Sequence, residues 1–300
     1  DPTKPLQLIS WTVNGQIMIY NFMWITAVMD NSTAFVIDDS KILVTPLSVS
    51  LIPPPMYLFS LKFPSAVRNM AFFSQGSKHN LATFLSDGRL CIVELPEIDM
   101  WEELEGTEVS VEAASCDIGL GSFPHLAWLD SHVLISVSHF TFNQVNCSVG
   151  NFAGKDGLPA YYLQEIQVMC SEDHKPGPVT STGWQAKISN QISVEERVIG
   201  IIPGPLNRCA AYIQFDGGKI VQYLSKLGGN RMVPLQKCDD MCFSSSCSWM
   251  TLALAGGFMS QKALLFGLDD NGRLQVGRRI LCDNCSSFSF YSNATDQSIT

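Results

Sequence analysis

All-β is the fold class this 300-residue sequence predicts, and three observations predict it. One hairpin pattern is written repeatedly along the chain. Strand-like apolar runs come in groups of four. No window of a dozen residues shows a capped i, i+3, i+4, i+7 apolar face, so helix has almost no support.

The hairpin appears first as LISWTVNGQIMIY (8–20) and AFVIDDSKILVT (34–45), then as FLSDGRLCIVEL (84–95), CAAYIQFDGGKIVQYL (209–224) and ALLFGLDDNGRLQV (263–276). Each places β-branched, aromatic and leucine residues on both sides of an Asn/Asp/Gly turn, the residues that tolerate φ > 0. The turns are expected at Asn14-Gly15, Asp87-Gly88, Asp216-Gly217 and Asn271-Gly272.

Four-strand groups follow. The first runs through 66–73, 81–85, 89–95 and 109–114, the second through 125–129, 133–138, 161–169 and 184–192. A third takes 198–202, 209–215, 219–224 and 231–235, and a fourth begins at Trp249. Propeller blades of the WD type have four strands in roughly 40–45 residues. The spacing of the turn glycines Gly218 and Gly272 exceeds that, so blades with loop insertions are expected.

Runs such as CIVEL and AAYIQF are apolar on both faces. A blade covered by a neighbour on each side needs that, whereas a lone sandwich sheet would alternate. The expectation is a WD-repeat-type β-propeller with four-stranded antiparallel blades, about five of them here. The Gly-His and Trp-Asp dipeptides of regular WD repeats are missing, so the repeat is degenerate.

The sequence is 46% hydrophobic and 16% charged, with 28 acids against 19 Lys and Arg and a net charge of -9. It can bury a large core, and a surface of that sign without clustered bases is no nucleic-acid grip. No run reaches the roughly 18 apolar residues of a membrane helix; the longest, WMTLALAGGFM (249–259), holds two glycines. A soluble excerpt of a longer chain is expected, with no membrane contact.

Ten cysteines in 300 residues are sparse for a disulfide scaffold, and Cys91, Cys170 and Cys209 sit in apolar strands, where a free thiol behaves as a small hydrophobe. A reduced, intracellular protein is expected. The rival is a secreted glycoprotein, with sequons at Asn31, Asn146, Asn284 and Asn293.

No catalytic or metal signature is complete in the sequence. Cys238, Cys242 and Cys247 with Cys282 and Cys285 offer one CxxC pair, but the first group lacks the paired spacing that tetrahedral zinc uses. His79, His125, His132, His139 and His174 form no HxxxH or HExxH pair and are expected at turns and on the surface. There is no GxSxG elbow, and Gly228-Gly229 and Gly256-Gly257 lack the lysine and helix of a phosphate loop.

Glu102-Glu103 and Asp239-Asp240 are expected in surface loops. The stretch 99–112, DMWEELEGTEVSVE, carries six acids and no base; a solvated inter-blade loop is the expectation, with a docking patch for a basic partner as the alternative. The second long connection, 140–159, holds Gly150, Gly154 and Gly157 and is expected to be mobile. No catalytic residue, cofactor-binding residue or metal ligand is assigned, and no cofactor.

VIDDSKILVTPLSVSLIPPPM (36–56) resembles the second propeller of the largest subunit of the Elongator complex, the IKAP family, which has a similar hairpin followed by a triple proline and methionine. The likeness continues through LKFPSAVRNMAF (61–72) and LAWLDSHVLISVSH (126–139). It resumes at 216–223 and 268–274 and reaches NCSSFSFY (284–291). Departures fall at 101–118, 143–159 and 237–246.

The resemblance implies that 1–300 is part of one propeller, the second of a tandem pair and incomplete at both ends. It implies a non-catalytic scaffold supporting wobble-uridine modification of transfer RNA, a transcription-elongation role also being suggested for the family. The implied partners are a propeller subunit and the radical S-adenosylmethionine/acetyltransferase subunit, with transfer RNA contacted only indirectly. Homodimerisation would use regions outside these residues, and the implied localisation is cytoplasmic, with the nucleus as a second compartment. An unrelated intracellular interaction or trafficking propeller shares the composition; only the ordered motifs separate the two.

Overall fold

The computed structural model describes residues 7–21, 26–29, 33–48, 56–75, 77–116, 122–140, 160–171, 178–204, 210–215, 220–225, 231–234, 250–255, 264–269, 271–276, 279–286 and 288. Five sheets follow one another along the chain, after a hairpin of β1 (Gln7–Trp11) and β2 (Ile17–Asn21). The first sheet contains β3 (Thr26–Met29), β4 (Thr33–Asp38), β5 (Lys41–Pro46) and β6 (Phe59–Lys62), and the second β7 (Val67–Gln75), β8 (Lys78–Leu85) and β9 (Leu90–Leu95).

Two short strands, β10 (Glu108–Ser110) and β11 (Ser115–Cys116), come next. The third sheet is β12 (Ser122–Asp130), β13 (Val133–Phe140), β14 (Ala160–Cys170) and β15 (Trp184–Val194). The fourth is β16 (Val198–Pro203), β17 (Ala210–Phe215), β18 (Ile220–Leu224) and β19 (Arg231–Pro234). The fifth is β20 (Met250–Ala255), β21 (Leu264–Asp269), β22 (Leu274–Val276) and β23 (Arg279–Cys282).

Within every sheet these consecutive strands pair antiparallel. The first strands β3, β7, β12, β16 and β20 lie against one another in chain order. That is the radial arrangement of a β-propeller, with the first strand of each blade innermost.

Successive blades bury opposite faces of the same strands. Phe35, Ile42, Val44, Phe59 and Leu61 of the first blade meet Leu81, Leu85, Cys91, Val93 and Leu95 of the second. On its other face, the second blade packs Phe73, Phe84, Leu90 and Ile92 against Trp128, Leu134, Ile166 and Trp184 of the third. The third then packs Leu129, Ile135, Val137 and Leu163 against Ile213, Phe215, Val221 and Tyr223 of the fourth. The two-sided apolar runs thus serve two cores at once.

Polar contacts lock the same joints. Trp128 Nε1 donates to the Ala71 carbonyl oxygen at 2.9 Å, from the third blade to the second. Between the third and fourth, Tyr223 Oη donates to Glu165 Oε2 at 2.7 Å and Asn190 Nδ2 donates to Tyr223 Oη at 3.2 Å, while within the third blade Ser189 Oγ donates to Glu165 Oε1 at 3.0 Å. Each oxygen of the buried Glu165 carboxylate thereby has a donor, as buried polar groups require.

The recurring hairpin joins the second and third strands of the first, second, fourth and fifth blades. Three of its turns share one hydrogen-bond plan: Leu85 N donates to Arg89 O and Gly88 N to Leu85 O, as Thr12 N does to Gln16 O and Gly15 N to Thr12 O, and Asp269 N to Arg273 O and Gly272 N to Asp269 O. Only the glycine is left-handed, at φ 82 for Gly88, 78 for Gly15 and 75 for Gly272. The turn is therefore a three-residue loop ending in a glycine bulge, not a two-residue turn with both residues at φ > 0. The turn expected at Asp216-Gly217 lies outside the described residues.

Arg89 grips the Asp87 carboxylate, Nε to Oδ2 at 2.8 Å, and holds it down at about 2. We expect Gly88→Val to force a β-branched residue into left-handed backbone and to cost about 1–3 kcal/mol of stability. A urea denaturation midpoint equal to that of the parent would contradict this.

Candidate functional site

The rim of the first three blades is built by one segment that the sequence reading placed differently. Strand 109–114 was expected as the fourth strand of the second blade. Instead β10 pairs parallel with β6 of the first blade, Val109 opposite Leu61, and β11 pairs parallel with β15 of the third, Cys116 opposite Ala186. Between them Ala114 N donates to Leu90 O of the second blade at 2.9 Å, and Glu112 N donates to Ser181 O at 3.1 Å. The second blade's edge is completed from far away: Glu94 and Thr180 exchange two backbone hydrogen bonds of 2.9 Å.

The acidic stretch 99–112 is correspondingly not a wholly solvated loop. Its start forms a 3₁₀ turn (Ile98–Leu104), and Trp101 and Leu104 are buried in the core between the first two blades. Trp101 sits edge-on to Phe59 at 5.6 Å and donates its Nε1 to Pro96 O at 2.9 Å. The register of a 3₁₀ turn puts residues i and i+3 on one side, which sends Trp101 and Leu104 inward. Asp99, Glu102, Glu103 and Glu105 are left exposed.

Gly106, at φ 68, ends the turn and donates to Leu58 O at 2.8 Å. Glu108 on β10 pairs with Lys41 on β5. The assembly is a backbone-stitched rim with a row of carboxylates facing solvent, which can position a partner but offers no buried acid and base pair for proton transfer.

The other residues singled out in the sequence are scattered. His79 is buried on β8, stacked on Phe72 at 6.4 Å, and His125 lies on β12, its Nε2 donating to Val198 O at 3.2 Å. Neither is the turn or surface residue expected; each fills a joint between blades. His132 does lie in an exposed turn, His139 is the penultimate residue of β13, and His174 lies outside the described residues.

Glu102 and Glu103 are exposed as expected. Asp239, Asp240, the glycine pairs 228–229 and 256–257, the connection 141–159 and Cys238, Cys242 and Cys247 all lie outside the described residues. Among the described residues no three His, Cys, Asp or Glu side chains converge as metal ligands. Also among them, no helix is long and apolar enough to cross a membrane.

Burial pushes the Cys91 thiol up to about 12, so it acts as a neutral core side chain. A cavity of about 350 Å³ opens between the inner strands, lined by Phe72, Phe73, Leu126, Trp128, Ile201 and Pro203. Its walls are mostly apolar; the polar side chain among them, Ser74, hydrogen-bonds His79 Nδ1 at 3.0 Å.

A family described as the ELP1 N-terminal second beta-propeller matches residues 36–295. The chain belongs to this family. Its likeness to Elongator complex protein 1 of Arabidopsis thaliana is 49% identity over 302 residues, covering 100% of the chain and 22% of the relative. The rabbit (Oryctolagus cuniculus) protein of the same name is 23% identical over 97% of the chain and 22% of its own length.

The chain thus spans about a fifth of the length of these relatives and is homologous to an Elongator complex subunit. Among solved structures, the Nup133 β-propeller domain of Vanderwaltozyma polyspora covers 90% of the chain and 81% of its own length, at 11% identity and a TM-score of 0.33, a likeness too slight to argue from. The ELP1 second-propeller match begins inside β4 and runs through the stitched rim, so rim and blades are parts of one family domain.

Two outcomes are expected. Trp101→Ala removes a fully buried indole from the first joint and should cost about 3–5 kcal/mol, with residues 96–106 becoming protease-sensitive; unchanged stability and digestion would contradict its anchoring role. For His125, burial holds the imidazole below its ordinary 6.5, so the unfolded chain binds the proton more readily. Its stabilising contribution is complete above about pH 6.5 and is lost as pH falls from there toward the depressed folded value. Urea midpoints should fall between about pH 7.5 and 5, less steeply in His125→Gln; equal slopes would remove His125 as the cause.

Proposed function

We propose that this chain is part of a non-catalytic scaffold subunit of the Elongator complex, which supports assembly of the machinery that modifies the wobble uridine of transfer RNA. The single observation carrying the proposal is the family match over residues 36–295. Residues 1–300 then form part of one propeller, the second of a tandem pair. The partners are another propeller subunit and the radical S-adenosylmethionine/acetyltransferase subunit, and homodimerisation uses parts of the protein beyond these residues. The compartment is the cytoplasm, with the nucleus as a second one.

Physical chemistry supports a positioning role. The described residues spend their titratable and aromatic groups on joints between blades: Glu165 is held by Tyr223, and His125 by Val198. The net charge of -9 disfavours direct contact with a phosphate backbone, so transfer RNA is met through other subunits. A rigid disc distributes binding over rims and loops, with energy concentrated in a few anchors.

Replacing residues 36–295 in the full-length protein should abolish both co-purification of the other subunits and wobble-uridine modification, measured by nucleoside analysis of transfer RNA. A point variant within the segment that leaves the complex intact yet eliminates the modification would overturn the scaffold reading.

A further inference from the structure

Cys282 and Cys285 flank a tight reversal at the outer edge of the fifth blade. Cys282 is the last residue of β23, opposite Leu274, and is exposed. Asn284 takes the left-handed conformation at φ 61, which turns the chain back so that Cys285 N donates to Gly272 O at 2.8 Å. The reversal therefore sits directly on the bulged turn of the neighbouring hairpin: a Cβ placed on Gly272 would lie 3.0 Å from the Cys285 carbonyl oxygen.

The two thiols meet above that anchor. Cys285 hydrogen-bonds the Cys282 sulfur, and Cys282 Sγ lies 3.3 Å from Asp283 O; both thiols are free. The bond to Cys282, then burial, raises the Cys285 thiol above its ordinary value. Cys91, by contrast, is sealed in the core and out of reach of solutes.

We propose that Cys282 and Cys285 form a reversible dithiol–disulfide site whose reaction partner is a low-molecular-weight disulfide of the glutathione type. Cys282, the exposed thiol, loses its proton to water and its thiolate attacks one sulfur of the small disulfide. That S–S bond breaks, and the expelled thiolate takes up a proton. Cys285 then gives up its proton and attacks the Cys282 sulfur, forming the internal S–S bond and releasing the second small thiol. Two cysteine thiols are oxidised, one small disulfide is reduced to two thiols, and the protons balance.

What the fold contributes is proximity. A CxxC in an unfolded chain samples many arrangements, whereas the left-handed Asn284 and the Gly272 anchor hold the two sulfurs in contact before reaction, lowering the entropy lost on closure. The site lies on an edge strand exposed along its length, open to a peptide-sized oxidant.

The test equilibrates the full-length protein in graded mixtures of reduced and oxidised glutathione, quenches with acid, alkylates free thiols and weighs the tryptic peptide that begins at Ile280, which carries both cysteines. The same chain in denaturant is the reference. In the folded protein the internal disulfide should form with an equilibrium constant at least about tenfold larger than in denaturant, equivalent to about 30 mV. Cys285→Ser should instead accumulate a glutathione adduct on Cys282. A constant no larger than that of the denatured chain, a stable glutathione adduct as the main product of the parent, or no adduct on Cys282 in Cys285→Ser would each overturn the proposal.

Discussion

The backbone of residues 106–116 is the constraint on which the described architecture rests. Outer strands of propeller blades present unpaired amides and carbonyls, each costly if left without a partner and each an invitation to aggregation. Here one segment satisfies β6 of the first blade, Leu90 of the second and β15 of the third in succession. Because the bonds are made by main chain, they fix the spacing of the three rims whatever the side chains. Apolar residues of the segment change cores along its length, Val109, Val111 and Ala113 toward the first joint, then Ala114 and Cys116 toward the second.

With the rims fixed, the joints between blades decide what the side chains can do. Each central strand gives one face to each neighbour, so groups that might otherwise be chemically active are consumed in packing. The Glu165 carboxylate is held by Tyr223 and Ser189, Trp128 is tied to a backbone carbonyl, and Cys91 is buried and protonated. Charge is displaced to the outside, as on the 3₁₀ turn, where Trp101 and Leu104 anchor the backbone and the acids line its solvent side. That division of labour is in keeping with homology to a subunit of an assembly.

Much of this was legible in the sequence because it is local. The hairpins announced themselves through Asn-Gly and Asp-Gly between apolar runs, and the strands expected at 125–129, 133–138, 161–169 and 184–192 lie within β12 to β15. The turn type was not, because Asp-Gly suits a two-residue turn and a glycine bulge equally; only the hydrogen bonds from Leu85 to Arg89 decide it. The rim was misassigned because Val109 and Val111 look like any short strand, and a parallel partner in an earlier blade leaves no trace in their own spacing. Trp101 and Leu104, three apart within the acidic run, were the signal of an inward-facing turn that the expectation of a solvated loop passed over. His79 gave no such sign: a histidine in an apolar strand is told from a surface one only by what packs on it.

The bridge between Glu94 and Thr180 sets an order on the making of this protein. The outer edge of the second blade is supplied by a residue about 86 positions downstream. At a ribosomal pace of roughly 5–20 residues per second, that edge waits on the order of ten seconds for its partner. During that interval β9 is an apolar strand with open hydrogen-bonding groups, the state most prone to pairing with the wrong chain. Quality control of the nascent polypeptide therefore meets an open strand edge between completion of the second blade and emergence of the third.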